Sequence, residues 1–292
     1  MLNYSYPLFR PPAEASNLIL QVTYGCSYNN CSFCSMYKSK KFKIRELSDI
    51  FYDIDTLASN YPNSTKVFLA DGDALDIDTP YLLEILKYLQ KSFIKLRRVS
   101  TYGSAQNILS KTKDELDTLH KYKLNLVYYG IETGSDIVLS KITKGVTQNQ
   151  IIDSLNMLSN ANIKISATVI LGIGGVTYSK EHIVQTANVI NQTTVNYLST
   201  LQLGLEEDVK DKFYKNFKDF IPLNDIDIIK EQKLFLEQII PINKIIFRSN
   251  HASNALHLAG NLPKDKDNLI SEIDETLKLG DKAFVPHILR GF

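Results

Sequence analysis

The chain has 292 residues, 44% of them hydrophobic and 22% charged, with a formal net charge of +1. That length allows one large domain or two small ones around a substantial core. The near-neutral charge gives no electrostatic reason to expect a nucleic-acid polymer or a membrane surface as partner.

The opening residues, MLNYSYPLFRPP, lack a basic region followed by an apolar stretch. No stretch reaches the ~18 uninterrupted apolar residues of a membrane helix. The expected location is cytoplasmic, a reducing compartment where structural disulfides are rare. Along the chain, apolar runs at 18–23, 66–70, 98–102, 125–131, 164–171 and 197–203 read as strands. Segments of period near 3.6 lie between them, as at 81–93 and 151–161. Thr79 before Pro80 marks a helix start. Thr112 with Glu115, and Thr147 with Gln150, read as capping boxes. The strand runs are nearly continuously apolar, as parallel strands covered on both faces are. Six strand–helix units imply a parallel sheet with right-handed crossovers. Doubly wound sheets and barrels both fit, and in either the loops at the carboxyl ends of the strands carry the chemistry. Beyond Leu203, segments 206–220 and 225–240 look helical, a short run at 244–247 leads into RSNHASN (248–254), and a last helix covers 266–279.

All three cysteines, Cys26, Cys31 and Cys34, fall in GCSYNNCSFC, directly after the first predicted strand. An odd number of clustered thiols fits a disulfide framework poorly. Structural zinc sites and cubane iron–sulfur clusters usually take four ligands, and no fourth Cys or paired His spacing is present. The readings left are a 4Fe–4S cluster held at three irons with the fourth open, a zinc site, or inert thiols.

The open-site arrangement resembles the radical SAM superfamily, whose usual fingerprint is C-x3-C-x2-C. This chain has one residue more between its first two cysteines. Phe33 sits where that family has an aromatic whose backbone reaches adenine. LADGDAL (69–75) ends the second strand where the family has a glycine-rich acidic motif, with Asp71, Gly72 and Asp73 towards the methionine amino group. GIETGS (130–135) places Glu132 at a cofactor-contacting acidic position, and VILGIGG (169–175) places Gly172 where the family packs against adenine. The resemblance covers about residues 18–205. It implies an α/β fold, a partial (βα)6 TIM-like barrel at 1–205, with a C-terminal helical and loop extension at 206–292 closing it. It also implies a 4Fe–4S cluster, S-adenosylmethionine and an electron donor such as flavodoxin or ferredoxin.

Each motif has a plainer explanation. DGD is a common polar turn, and Glu132 can be a solvated loop residue. Gly172, Gly174 and Gly175 lack the G-x-G-x-x-G spacing of a dinucleotide site. YKSKKFKIR (37–45) is usually a solvated face, although Lys38 or a neighbour can meet the cofactor carboxylate or a substrate phosphate. RSNHASN reads either as a substrate loop, with Asn250, His251 and Asn254 as candidate catalytic and substrate-binding residues and Arg248 for a phosphate, or as a helix cap at Ser249 or Asn250. Tyr37, Tyr102, Tyr128 and Tyr129 lie near strand ends, where core packing competes with substrate stacking.

In this family one electron cleaves the sulfonium to give a deoxyadenosyl radical, which takes a hydrogen atom from a small substrate. No cysteine remains for a second cluster, which disfavours methylthio transfer. The whole-chain pattern resembles small members labelled oxygen-independent coproporphyrinogen oxidase-like. Among these, a lyase of queuine salvage, acting on a queuosine nucleotide, is the expected activity. A porphyrin-type radical oxidase and a non-enzymatic zinc module are the alternatives. After the sixth strand LGLEEDVKDKFY (203–214) replaces the Pro-Gly-Thr-Pro turn common in such proteins, so the substrate face should differ.

Overall fold

The computed structural model describes residues 2–291. Strands are β1 (Leu18–Gln21), β2 (Thr23–Tyr24), β3 (Lys43–Ile44), β4 (Lys66–Ala70), β5 (Arg98–Gly103), β6 (Leu124–Glu132), β7 (Lys164–Leu171), β8 (Tyr197–Gln202), β9 (Ile245–Ser249) and β10 (Leu258–Leu262). Helices are α1 (Leu47–Asn60), α2 (Thr79–Ser92), α3 (Ala105–Leu109), α4 (Lys113–Lys121), α5 (Asp136–Lys141), α6 (Gln148–Asn160), α7 (Gly175–Asn191), α8 (Glu207–Asn216), α9 (Asp225–Gln238) and α10 (Lys266–Leu279). The fold is α/β, of the partial TIM-like barrel class expected from the alternation. No helix among the described residues is long and apolar enough to cross a membrane.

The chain forms two compact units. The first comprises Met1–Asn29, Met36–Tyr129 and Met157–Ile165; the second comprises Asn30–Ser35, Gly130–Asn156 and Ser166–Phe292. The boundary expected after residue 205 falls inside the second.

In the first unit β1, β4, β5 and β6 lie side by side and parallel, with Leu20 opposite Leu69, Phe68 opposite Ser100 and Thr101 opposite Val127. Val67 to Ala70 of β4 are fully buried, which explains the unbroken apolar run. Helix α2 covers the strands with Leu82, Ile85, Leu86 and Leu89, spaced three and four apart on one face. Its N-cap is Asp78 with Pro80 in the first turn, one residue earlier than Thr79 suggested. The capping box of Thr112 and Glu115 opens α4. The run at 18–23 does not stay in one sheet. The Val22 N–H bonds Ala70 O, and Thr23–Tyr24 turns away to pair with Lys43–Ile44. That two-strand ribbon brackets the cysteine loop.

In the second unit β7, β8 and β9 are parallel, and β10 returns antiparallel along β9. Helix α8 packs Val209 and Phe213 inward; Phe213, Phe217 and Phe220 join Val138, Ile142, Ile170 and Ile173 in one apolar cluster. Thr147 and Gln150 exchange the expected reciprocal bonds ahead of α6. Ser249 closes β9, and no helix begins there, so the capping alternative for RSNHASN is set aside.

Candidate functional site

In the first unit the DGD turn after β4 is folded onto the start of the cysteine loop. Asp71 is fully buried, and its Oδ2 accepts from the Gly25 N–H (3.0 Å), the Gln21 amide (3.1 Å) and the Lys40 ammonium (2.7 Å). Asp73 Oδ2 accepts from the Ser27 N–H (2.5 Å) and hydroxyl (2.8 Å). Between them the Gly72 N–H donates to Gly25 O at 3.1 Å. A Cβ on Gly72 would stand 3.0 Å from Cys26 Cβ, Gly25 O and the Tyr37 ring, so this close approach requires glycine. The turn therefore clamps the backbone on both sides of Cys26. The second Asp71 oxygen, Oδ1, is buried and has no hydrogen-bond partner among the described residues. A buried carboxylate oxygen without a donor is costly, and a ligand ammonium would relieve it.

Cys26 is pushed up to about 12 by burial and then by the Asp73 carboxylate. In the metal-free chain this thiol keeps its proton, and a metal must displace it. Within the longer first spacing of the cysteine loop, Asn29 has a φ of 41°. Short-chain Asn tolerates that left-handed conformation. The Asn29 N–H lies 3.4 Å from Cys26 Sγ, its amide donates to Tyr37 O at 2.9 Å, and its carbonyl receives Lys38 Nζ at 2.6 Å. Lys38 and Lys40 of the basic run are thus turned back onto the loop and the acidic turn. Tyr37 is buried, edge-on to Phe9. Tyr102 and Tyr128 pack edge-on to Phe68, and the Tyr128 hydroxyl donates to the buried Glu14 at 2.7 Å. Tyr129 is buried in the core.

Cys31 and Cys34 belong to the second unit. Their segment is anchored by the Ser32 N–H to Ile142 O (2.9 Å), while Asn30 O accepts from the Thr143 hydroxyl (2.7 Å) and Lys212 Nζ (2.8 Å). Phe33 packs on the phenylalanine cluster with Lys144 Nζ 5.8 Å from its ring centre. Lys144 also pairs with Glu132 at 3.0 Å, where the chain leaves β6 with a φ of 61°. Sequence reasoning found Phe33 and Glu132 and missed the lysine joining them.

Farther along, Gly172 ends β7 with a φ of 78°, and its N–H donates to Glu231 Oε1 at 2.5 Å. Asn254 is buried, and its amide is used inside the fold. Its Oδ1 accepts from the Gln202 N–H (2.8 Å), and its Nδ2 donates to Thr200 O and Ser249 Oγ, both at 2.9 Å. Gln232 Oε1 takes the Thr200 and Ser249 hydroxyls at 2.8 and 3.1 Å. This amide network bolts the loop to the carboxyl ends of β8 and β9. It leaves Asn250 exposed and His251 half-buried. His251 Nδ1 accepts from the Ser253 N–H at 3.2 Å, which puts the ring proton on Nε2, and burial lowers its pKa and keeps it neutral. Arg248 Nη1 lies on Phe247 O (2.7 Å) and Gly260 O (3.3 Å). A cavity of about 620 Å³ opens by Gln202, Asn224, Asp225, Phe284, His287 and Arg290. There a bidentate Arg290 holds the Asp225 carboxyl below the usual carboxylate range.

Among the described residues no three His, Cys, Asp or Glu side chains converge as a metal cage. The fit of an iron–sulfur cluster and its ligand is therefore judged from the donors. Three thiols that enter no disulfide suit a cluster with one open iron. The orphaned Asp71 Oδ1 suits an amino group brought to it.

Comparison with known proteins agrees with that donor set. The profile of the Radical SAM superfamily matches residues 20–188. A Methanocaldococcus jannaschii protein with a provisional methylthiotransferase name is 23% identical over 226 residues, covering 73% of this chain and 45% of its own length. Among solved structures, Escherichia coli coproporphyrinogen III oxidase superposes with a TM-score of 0.59 at 15% identity, covering 76% of this chain and 52% of its own. Methylornithine synthase gives a TM-score of 0.52 at 13% identity, with coverages of 77% and 63%. The chain spans about half to two thirds of the length of these relatives.

Proposed function

The chain belongs to the radical SAM superfamily, and on that premise we propose that it is a lyase releasing the 7-deazaguanine base queuine from queuosine 5′-phosphate. Enzymes of this family use a 4Fe–4S cluster and S-adenosylmethionine. When bound, the pair supplies a deoxyadenosyl radical that removes a hydrogen atom from a small substrate. An electron donor such as a flavodoxin or ferredoxin would deliver the reducing equivalent.

On this reading Cys26, Cys31 and Cys34 hold the cluster. Asp73 and Gly72 keep the Cys26 backbone in place, and Asp71 meets the amino group of the cofactor through Oδ1. Lys40 supplies the counter-charge at Oδ2, 2.7 Å away, which leaves Oδ1 open to a ligand donor. Phe33, Glu132 and Gly172 are the expected contacts for the rest of the cofactor, with Lys144 paired to Glu132; Lys38 braces the loop through Asn29.

The observation that carries the substrate reading is the amide-rich surface around β8 and β9. Asn250 and His251 are accessible on a loop that Asn254, Gln202 and Gln232 hold in place. A deazaguanine has a lactam and an amino edge, which neutral amides and a neutral imidazole can match donor for acceptor. Several porphyrin carboxylates would instead call for uncommitted cations. Here Arg290 is spent on Asp225 and Arg248 leans on backbone carbonyls. Of the expected aromatic candidates Tyr37 and Tyr129 are buried, which leaves the partly buried Tyr102 for the substrate side, and the exposed Arg248 is the candidate for a single phosphate.

The test is to incubate reduced, cluster-loaded protein with S-adenosylmethionine and queuosine 5′-phosphate. Free queuine and deoxyadenosine in step are expected. Deoxyadenosine with coproporphyrinogen but not with the nucleotide would replace this reading with the oxidase one.

A further inference from the structure

Helix α9 reaches the turn after β7 with a carboxylate that the reaction described above does not use. The Glu231 side chain is 0% exposed. Its Oε1 accepts the Gly172 N–H at 2.5 Å and its Oε2 accepts the Ser179 hydroxyl. Both donors belong to the turn and first helical turns that follow β7. Ile228, one turn earlier on α9, stands where a Cβ on Gly172 would be only 2.5 Å from its Cδ1. The same helix thus stops the turn sterically and ties it by a hydrogen bond.

A buried carboxylate is an expensive way to pack a helix, and an apolar side chain of similar size would fill the space at lower cost. A second polar group faces the same spot. His182 on α7 has Nε2 3.9 Å from Glu231 Oε1, and that nitrogen is buried without a hydrogen-bond partner. Its Nδ1 lies 2.8 Å from the hydroxyl of Thr133, the residue after Glu132. Glu231 thus holds the backbone at Gly172 and His182 holds the hydroxyl of Thr133, the two side chains lying next to each other between the two strand ends that carry the expected cofactor contacts of this unit.

The turn itself needs such support. Gly172, Gly174 and Gly175 fall within four residues, and glycine loses the most conformational freedom on ordering. A turn fixed beforehand spares a ligand that ordering cost.

We infer that Glu231 is a positioning residue for S-adenosylmethionine: by holding the Gly172 N–H and the Ser179 hydroxyl, it fixes the glycine turn against which the cofactor binds. The inference rests on the reading of Gly172 as a cofactor contact.

Glu231→Ala, Glu231→Gln and Ser179→Ala are compared with the wild type as anaerobically reconstituted proteins. Equilibrium binding of S-adenosylmethionine, iron per chain and the thermal midpoint are measured. Glu231→Ala should weaken cofactor binding about tenfold with iron content unchanged, as loss of a buried N–H partner predicts. Glu231→Gln keeps an acceptor for the Gly172 N–H and should recover affinity to within about threefold. Ser179→Ala removes one of the two anchors on a half-buried surface and should weaken binding about threefold, which keeps the test decisive if the Glu231→Ala protein fails to fold. Lowered thermal midpoints with wild-type affinity in Ser179→Ala and Glu231→Ala would make the carboxylate purely structural and overturn the inference. Failure of the wild type itself to bind the cofactor would overturn the reading beneath it, a result separate from the variants' behaviour.

Discussion

Replacing Glu231 with glutamine should change how stability depends on pH. Burial pushes this carboxyl up to about 7 in the folded chain, against 4.5 when exposed. Between those values the folded protein keeps a proton that the unfolded chain has released. Stability therefore falls as pH rises through that window and levels off above it. At about 1.4 kcal/mol per pH unit, the growing cost is about 3 kcal/mol. His182 acts in the opposite sense. Burial lowers it from 6.5 to about 3, so stability falls as pH drops through that range. In the wild type the two slopes oppose one another between 4.5 and 6.5, and their joint contribution is nearly flat there. Glutamine removes only the carboxyl part. Urea unfolding of both proteins from about pH 4.5 to about pH 7.5 reads the difference. The variant should gain about 3 kcal/mol on the wild type across that span. Parallel stability curves would refute the assignment of a buried, proton-holding carboxyl at this position.

Alanine at Cys26, Cys31 or Cys34 should each abolish retention of the cluster, read as iron and sulfide per chain after anaerobic reconstitution. Asn254→Ala should destabilise by about 2 kcal/mol in urea, because it strands the Gln202 N–H and the Thr200 carbonyl. Asn250→Ala, at an exposed site, should leave the unfolding midpoint unchanged and lower only the yield of released base. Lys40→Met leaves the Asp71 carboxylate buried without its counter-charge and should cost about 3–5 kcal/mol; Lys40→Met with Asp71→Asn should recover part of that, measured by the same unfolding assay.

Strand β4 was legible because it is buried on both faces, as the unbroken run Val67 to Ala70 shows; β8 buries alternate residues on one face. Another strand misled at its end. The run at 18–23 (LILQVT) reads as one strand, but Val22 gives its N–H to Ala70 O and the chain leaves the sheet. Strand β10 was invisible because Gly260 and Asn261 interrupt it and it is held by pairing with β9 rather than by its own pattern. The acidic turn was legible as a motif, whereas the division of labour within Asp71 was not. One oxygen faces Gly25, Gln21 and Lys40, and that follows from contacts up to 50 residues apart. Lys144, Gln202, Gln232 and Glu231 carry no local signature. Their roles come from tertiary packing, as when Glu231 meets Gly172 from 59 residues away. A buried Glu on an amphipathic helix can be noticed in sequence only if the apolar face is mapped first, because Glu231 lies on the buried side with Ile228 and Phe235.

The most direct test of the account is made on the anaerobically reconstituted, reduced protein without any substrate. About four iron and four sulfide per chain, with no zinc and with slow conversion of S-adenosylmethionine to deoxyadenosine and methionine, is the predicted result. A chain that takes up zinc in place of iron, or that carries the cluster and leaves S-adenosylmethionine intact, would contradict it.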